Sequence, residues 1–241
     1  MTAQSHPIRN EVLRLSDLHA FYGESHVLHG IDLEVHEGEL ITLLGRNGAG
    51  RTTTLRAIVG LIGHRTGSIM IKGEETIKTP PHTIAHLGLG YCPEERGIFA
   101  SLNVEENLML PPVVGSGGMS VEEIYEMFPN LAERRKSQGT RLSGGEQQML
   151  AMARILRTGA DILLLDEITE GLAPVIVDRL AEVLAMLKAR GFTVILVEQN
   201  FHFARSIADR HFIIDQGHLA AVIDAEEVED KADVFDEFLS V

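Results

Sequence analysis

Residues Ile41–Leu55 read ITLLGRNGAGRTTTL, an apolar run followed by a loop with three glycines. The apolar run Leu40–Leu44 has the look of a strand buried on both faces; it stops at Gly45, and "TTTLRAIVGLIG" beyond the loop has the look of a helix ending at Gly60–Gly63. Strand, glycine loop and helix in that order make a phosphate cradle. Gly45, Gly48 and Gly50 let the backbone turn tightly and bring N–H groups close to oxygen anions, and the helix N-terminus adds unpaired donors and a positive partial charge. The candidate contact set is Gly45, Arg46, Asn47, Gly48, Ala49, Gly50, Arg51, Thr52 and Thr53, with the Thr52 hydroxyl suited to a phosphate-bound Mg²⁺. The spacing is that of Gly-x-x-x-x-Gly-Lys-[Ser/Thr], but Arg51 stands at the lysine position. Arginine keeps the charge and can grip phosphate with two N–H groups, yet its planar head is larger. Binding of the ground state should therefore survive better than stabilisation of the transition state, which depends on close placement. An ordinary strand-to-helix turn is the alternative reading.

The chain before Gly45 is strand-like, with turns at "FYGES" and "HEGE", and "VLHGIDLEV" (Val27–Val35) alternates as a half-buried antiparallel strand does. "GSIMIKG" and "HLGLGYCPEE" read as further short strands. From Arg96 to about Arg141 helical spacing and a Gly/Pro-rich loop take over, the mark of an inserted helical lobe. The core then resumes with helix Ser143–Thr158, strand Asp161–Glu167, helix Val175–Arg190 and strand Thr193–Gln199. Strands alternating with helices predict a parallel sheet with right-handed crossovers. "HFIIDQGHLAAVI" reads as a hairpin, and the acidic tail as a terminal helix with Val228, Ala232, Phe235 and Leu239 on one face. The expected organisation is a disordered 1–10, a core of 11–95 and 142–224, a lobe of 96–141 and a C-terminal helix of 225–241.

Bulk composition excludes several classes of function. The 241 residues carry a net charge of −14, which disfavours DNA and bare anionic membrane as partners. The basic run "AERRKSQGTR" reads as a solvated helix end. One cysteine, Cys92, rules out an internal disulfide framework and suits a reducing compartment. The polar N-terminus lacks a signal-peptide core, and no apolar run reaches the ~20 residues that span a bilayer, so a soluble intracellular chain is expected.

A second constellation lies at "ILLLDE", where Asp166 and Glu167 end a buried strand. Ligands of parallel sheets sit outside the carboxyl ends of strands. There Asp166 would hold Mg²⁺ through water, and Glu167 would polarise the water attacking a terminal phosphate. A helix N-cap is the plainer role for the aspartate.

At Leu142–Gln148 the chain reads LSGGEQQ. Locally this is a capping box, Ser143 with Glu146 three residues on. The run Leu142, Ser143, Gly144, Gly145, Glu146, Gln147 also resembles the signature motif of ABC-type ATPases, in the right order between the glycine loop and "ILLLDE". Resemblance to that family extends from about Leu13 to Ile223. It implies an α/β fold of the P-loop NTPase type, with a mixed sheet, an N-terminal antiparallel β subdomain and an inserted α-helical lobe. It implies ATP and Mg²⁺ as ligands, and a head-to-tail dimer in which each signature helix faces the ATP held by the other subunit. By the same resemblance Tyr22 is the aromatic that stacks on adenine. Glu94 falls where most members have a glutamine contacting Mg²⁺, and Gln199 where most have a histidine contacting the γ-phosphate. Ala173 replaces a typical Asp, and Ile168 a typical Pro. Arg51 is the serious departure, because the family lysine is close to universal.

Pro-Glu after the strand, "IFASLNVEENL", "TEGLAP" and "VEQN" are similar to the ATPase subunits of branched-chain amino acid importers, the second ATPase of such a system in particular. The resemblance implies membrane-spanning permease subunits as partners, a sister ATPase or a second copy in the dimer, and a periplasmic binding protein acting indirectly. It implies a cytoplasmic position on the inner face of the membrane. Importers of urea or short amides, and a nucleotide-gated clamp that hydrolyses little, are the competing readings; nucleic acid is not an expected partner.

Overall fold

The computed structural model describes residues 10–239. Of the segment expected to be disordered, only Asn10 falls among the described residues. Two sheets share the chain. The first is four-stranded and antiparallel, in the order β2-β1-β4-β5, from β1 (Glu11–Tyr22), β2 (Ser25–His36), β4 (His64–Ile71) and β5 (Glu74–Glu75). The second has six strands, β10-β9-β3-β8-β7-β6, from β3 (Leu40–Leu44), β6 (Leu89–Cys92), β7 (Ile162–Asp166), β8 (Thr193–Val197), β9 (Arg210–Asp215) and β10 (His218–Asp224). Its strands β9, β3, β8, β7 and β6 pair in parallel, and β10 closes the edge as the antiparallel arm of a hairpin. The parallel run agrees with the expectation from the strand–helix alternation, and the mixed sheet with its antiparallel β subdomain agrees with the fold that the resemblance implies.

Burial explains the split. LITLL, ILLLD and TVILV are buried at every position, as central strands covered on both faces must be. β1 and β2 alternate, keeping Leu13, Leu15, Leu18 and Ala20 inside while His19 and Phe21 lie on the other face. One apolar cluster packs α1 (Arg51–Ile58) between the two sheets, with Leu55 and Ile58 against Leu28, Ile31 and Leu43.

On the opposite face a second cluster joins α6 (Gly144–Leu156) and α7 (Pro174–Ala189) to β7 and β8. The short helices α3 (Val104–Met109), α4 (Val121–Met127) and α5 (Pro129–Glu133) contribute Val104, Leu108, Ile124, Met127 and Leu131 to the same cluster, so that segment is continuous in packing with the core. Two further helices, α2 (Pro81–Ala85) and α8 (Phe201–Arg205), are single turns. In the tail, α9 (Ala232–Leu239) buries Phe235 against Phe201, ring centroids 4.2 Å apart, and Val228 joins it. Ala232 is exposed and Val234 and Phe238 pack instead: the helix expected from 225 begins only at Ala232, after a single 3-10 turn at Ala225–Glu227.

Candidate functional site

The carboxyl ends of β3, β7, β8 and β6 meet at one edge of the large sheet, and each is followed at once by polar residues: Gly45–Thr53, Glu167, Glu198–Gln199 and Pro93–Glu94. Between them lies a cleft of about 370 Å³ lined by Asn47–Thr53, Glu94, Glu167, Glu170, Gln199 and Val27. Sequence positions far apart converge because parallel strands all point the same way.

The glycine loop is held from within the fold. Gly45 has φ 151°, and a Cβ there would stand 2.2 Å from the carbonyl oxygen of Ile214. Gly50, at φ 112°, leaves room for Leu28. The Gly217 N–H donates to the Ala49 carbonyl at 2.8 Å, and Arg46 Nη2 donates to the Glu237 carbonyl of α9 at 3.0 Å.

Arg51 is 4% exposed and lies under the loop. Its Nη2 donates to Glu167 Oε1 at 2.9 Å and to Asn47 Oδ1 at 3.2 Å, and its Nη1 to the Glu198 carbonyl at 2.8 Å. Burial lowers its pKa, against the opposing pull of Glu167, Asp166 and Glu198. Gln199 Nε2 donates to the other oxygen of Glu167 at 2.9 Å. Both carboxylate oxygens of that side chain are therefore engaged, and its backbone sits at φ 48°, a left-handed conformation uncommon outside glycine.

Asp166 is fully buried and accepts from Thr52 Oγ1 at 2.9 Å and from Tyr91 Oη at 3.0 Å. Burial holds its carboxyl above the ordinary range, with the two hydrogen bonds pulling the other way. Glu94, Glu167 and Glu170 bring carboxylate oxygens within 4.8 Å of one another at the mouth of the cleft. With Thr52 and Asp166 these are oxygen donors only, the set a hard divalent cation such as Mg²⁺ takes, so the residues fit that ion.

The profile of the ABC transporter family matches residues 28–170. The chain belongs to the ABC transporter family. The cassette is similar to the high-affinity branched-chain amino acid transport ATP-binding protein BraG of Pseudomonas aeruginosa, 38% identical over 211 residues, 86% of this chain and 91% of that protein. It is 33% identical to the lipopolysaccharide export system ATP-binding protein LptB of Escherichia coli, over 87% of this chain and 89% of that one. Among solved structures, a nucleotide-free ATP-binding cassette from an ABC transporter matches with TM-score 0.82 at 21% identity, covering 93% of this chain and 96% of the other, a likeness of fold.

Within the cassette the expected loop, Glu94, Asp166, Glu167 and Gln199 come together. Two sets stand apart. Tyr22 is 46% exposed at the tip of the β1–β2 hairpin and does not line the cleft. Leu142–Gln147 lie at the start of α6, also outside the cleft of their own chain. There the capping box forms: the Ser143 N–H donates to Glu146 Oε2 at 2.7 Å, and the Glu146 N–H to Ser143 Oγ at 3.3 Å. Gln147 Nε2 donates to the Gly139 carbonyl at 3.1 Å, while Ser143 stays exposed.

Sequence reasoning missed Glu170, Tyr91 and Glu198. Glu170 lies inside "TEGLAP", three residues past Glu167, where the turn brings it back. Tyr91 is signalled only by a polar-tipped aromatic in the strand beside β7. Glu198 is buried, accepts from the N–H and hydroxyl of Thr169 at 3.1 and 2.8 Å, and is pushed up to about 7 chiefly by burial. No helix among the described residues is long and apolar enough to cross a membrane.

Proposed function

We propose that this cassette binds ATP and energises import of branched-chain amino acids through membrane-spanning permease subunits. It would work as one half of a head-to-tail dimer, with a sister ATPase or a second copy, at the cytoplasmic face of the membrane, and a periplasmic binding protein would deliver the solute. The observation that carries this reading is the convergence of loop residues Asn47–Thr53, Glu94, Glu167 and Gln199 on one cleft at the carboxyl ends of the strands, with Asp166 bonded to Thr52 beneath it. Identity ranks the branched-chain relative above the export protein, 38% against 33%. Exposed Phe99, Met109 and Leu110 supply the apolar surface for a permease.

In this scheme the loop amides and Arg51 bind and orient the triphosphate. Thr52 and Asp166, with Glu94 and Glu170 at the mouth, would hold Mg²⁺, which when bound offsets phosphate charge. Glu167 takes the proton of the attacking water, and Gln199 orients Glu167 with its amide N–H. Gln199 cannot itself carry a proton's charge, so it is a positioning group. Ser143, Gly144 and Gly145 present a helix N-terminus to the ATP of the facing subunit. Tyr22 stacks on adenine from the hairpin tip.

A second reading, slow hydrolysis at this chain's own site, is favoured by the Arg51–Glu167 ion pair. The guanidinium occupies one oxygen of the base and must leave it before that oxygen can accept a proton. The chain then serves mainly by offering its signature helix to a competent partner.

Calorimetry of the full chain with Mg-ATP tests binding, and uptake assays of the reconstituted transporter test the solute. Stimulation of ATP turnover by leucine but not urea is expected; stimulation by urea or a short amide instead would move the cassette to that importer class. Absence of Mg-ATP binding by both the chain and the assembled complex would sink the scheme.

A further inference from the structure

The outer face of the antiparallel sheet carries a row of rings that the nucleotide cleft does not use. Phe21 stacks between His64 and His26 at 4.3 and 4.2 Å. His26 lies 5.1 Å from His19 and 4.0 Å from His29, and His218 of β10 lies 5.0 Å beyond His29. Five imidazoles from four strands are gathered here because His64 of β4 pairs across from Phe21 in the β1–β4 register, His19 pairs across from His29 in the β1–β2 register, and the β9–β10 turn docks on β2 through the bond from His29 N–H to the Gly217 carbonyl.

Within the row one pair is chemically specific. His19 Nε2 lies 3.1 Å from Asp17 Oδ1, and His19 Nδ1 lies 3.0 Å from His26 Nε2. An ionised carboxylate only accepts, so His19 carries its proton on Nε2 and presents a lone pair on Nδ1. A carboxylate fixing one ring nitrogen while the other faces a ligand is the arrangement that orients metal-binding histidines. Gly30 makes the room: a Cβ there would stand 2.9 Å from Asp17 Oδ1 and 3.7 Å from His19. The Asp17 N–H is itself anchored to Asp32 Oδ1 at 2.9 Å, so a second carboxylate lies close by.

We propose that His19 and His26 chelate one borderline divalent cation of the Zn²⁺, Ni²⁺ or Cu²⁺ class, with Asp17 fixing the His19 tautomer. Tetrahedral Zn–N bonds of about 2.05 Å place two ligand nitrogens about 3.3 Å apart, and the observed 3.0 Å needs only a small opening. On binding, His26 adopts the tautomer with its proton on Nδ1, freeing the Nε2 lone pair. Among the described residues no third His, Cys, Asp or Glu ligand atom gathers with this pair, so water completes the shell. Imidazole selects these ions over Mg²⁺ and Ca²⁺, and Cu²⁺ should bind tightest. The site clips β1 to β2 beside the hairpin that carries Tyr22.

The test is titration of the full chain with ZnCl₂ at pH 7.5 without nucleotide, followed by dialysis and metal analysis. One equivalent retained in the presence of excess Mg²⁺ is expected. His19→Gln and His26→Gln should each weaken binding at least tenfold, and Asp17→Asn by about tenfold through loss of the oriented ring. Retention by the His19→Gln/His26→Gln double variant, or loss of zinc in Glu94→Gln instead, would place the metal at the acidic mouth of the cleft and overturn the proposal. So would no retention by the wild-type chain.

Discussion

The glycine loop and the start of α6 are both glycine-bearing turns into a helix N-terminus, yet they are built in different ways. The loop is fixed by its own fold. Gly45 abuts the Ile214 carbonyl, Ala49 is bonded to Gly217, and Arg51 is buried against Glu167 and the Glu198 carbonyl. At α6 the turn is secured by side-chain bonds close in sequence, the Ser143–Glu146 capping box and Gln147 Nε2 to the Gly139 carbonyl, and a Cβ on Gly144 would meet nothing nearer than the Arg96 guanidinium at 3.4 Å. Glycine is demanded at Gly45 by the chain itself. At Gly144 the fold makes no such demand; under the proposed function the glycine serves what approaches that helix end.

The strongest way to break this contrast is Gly45→Ala. With a carbonyl oxygen 2.2 Å from the new Cβ and φ at 151°, we expect destabilisation above ~4 kcal/mol or no folded protein in urea titrations. Gly48→Ala, at φ 80° with open space around it, should cost only ~1 kcal/mol. Equal effects would mean that the backbone near Gly45 moves aside.

Acid should also act on the loop half. His211, fully buried beside β3, shares a hydrogen bond with Thr42 Oγ1 at 2.7 Å and has no partner for Nε2. Burial lowers its pKa from 6.5 to about 4. The unfolded chain then binds the proton more readily, so stability is unpenalised above pH 6.5 and falls as pH drops toward 4, by ~3 kcal/mol in total. Glu198, raised to about 7, acts in the opposite sense, losing stability as pH rises from 4.5 to 7. The His211→Asn variant isolates the histidine: its stability relative to wild type should improve by ~3 kcal/mol between pH 7 and pH 4. A parallel pH profile would show that His211 is not the acid-sensitive group.

Much of this was legible in the sequence because short-range patterns decide it. LITLL, ILLLD and TVILV declare buried strands, and Ser143 with Glu146 declares a helix start that the structure forms as a capping box. What stayed hidden depends on long-range approach. Nothing near Arg51 says that its head will meet Glu167, 116 residues on, or that Tyr91 will close over Asp166. The helical spacing in the tail misplaced Ala232 because the pattern does not fix where a helix begins. The histidine row was invisible because its members lie on four strands whose register the sequence alone does not give.

Arg51→Lys sharpens the contrast on the functional side. An ammonium is compact and leaves Glu167 Oε1 free, so turnover at this chain's own site should rise by about 10²-fold in single-turnover assays of the assembled complex. Unchanged turnover would remove the case for a weakened site. Ser143→Ala should lower stability by about 1 kcal/mol through loss of the cap. It should also lower ATP turnover at the facing subunit's site, while Mg-ATP binding by the isolated chain stays unchanged.

Gly144→Ala is the smallest expected effect and the most discriminating. The position is the first of α6, its φ is not positive, and the space beside it is bounded only by a flexible guanidinium. Alanine sacrifices less conformational entropy in a helix than glycine, so the isolated chain should gain about 0.5 kcal/mol in urea titrations. Gly145→Ala behaves differently, because its Cβ would press on Ile176 at 3.0 Å. A stabilised Gly144→Ala chain that no longer supports ATP-driven dimer closure would show that this glycine serves a ligand brought by the partner. A destabilised one would mean that the start of α6 is held by its own fold as tightly as the loop at Gly45, and the contrast between the two turns would be lost.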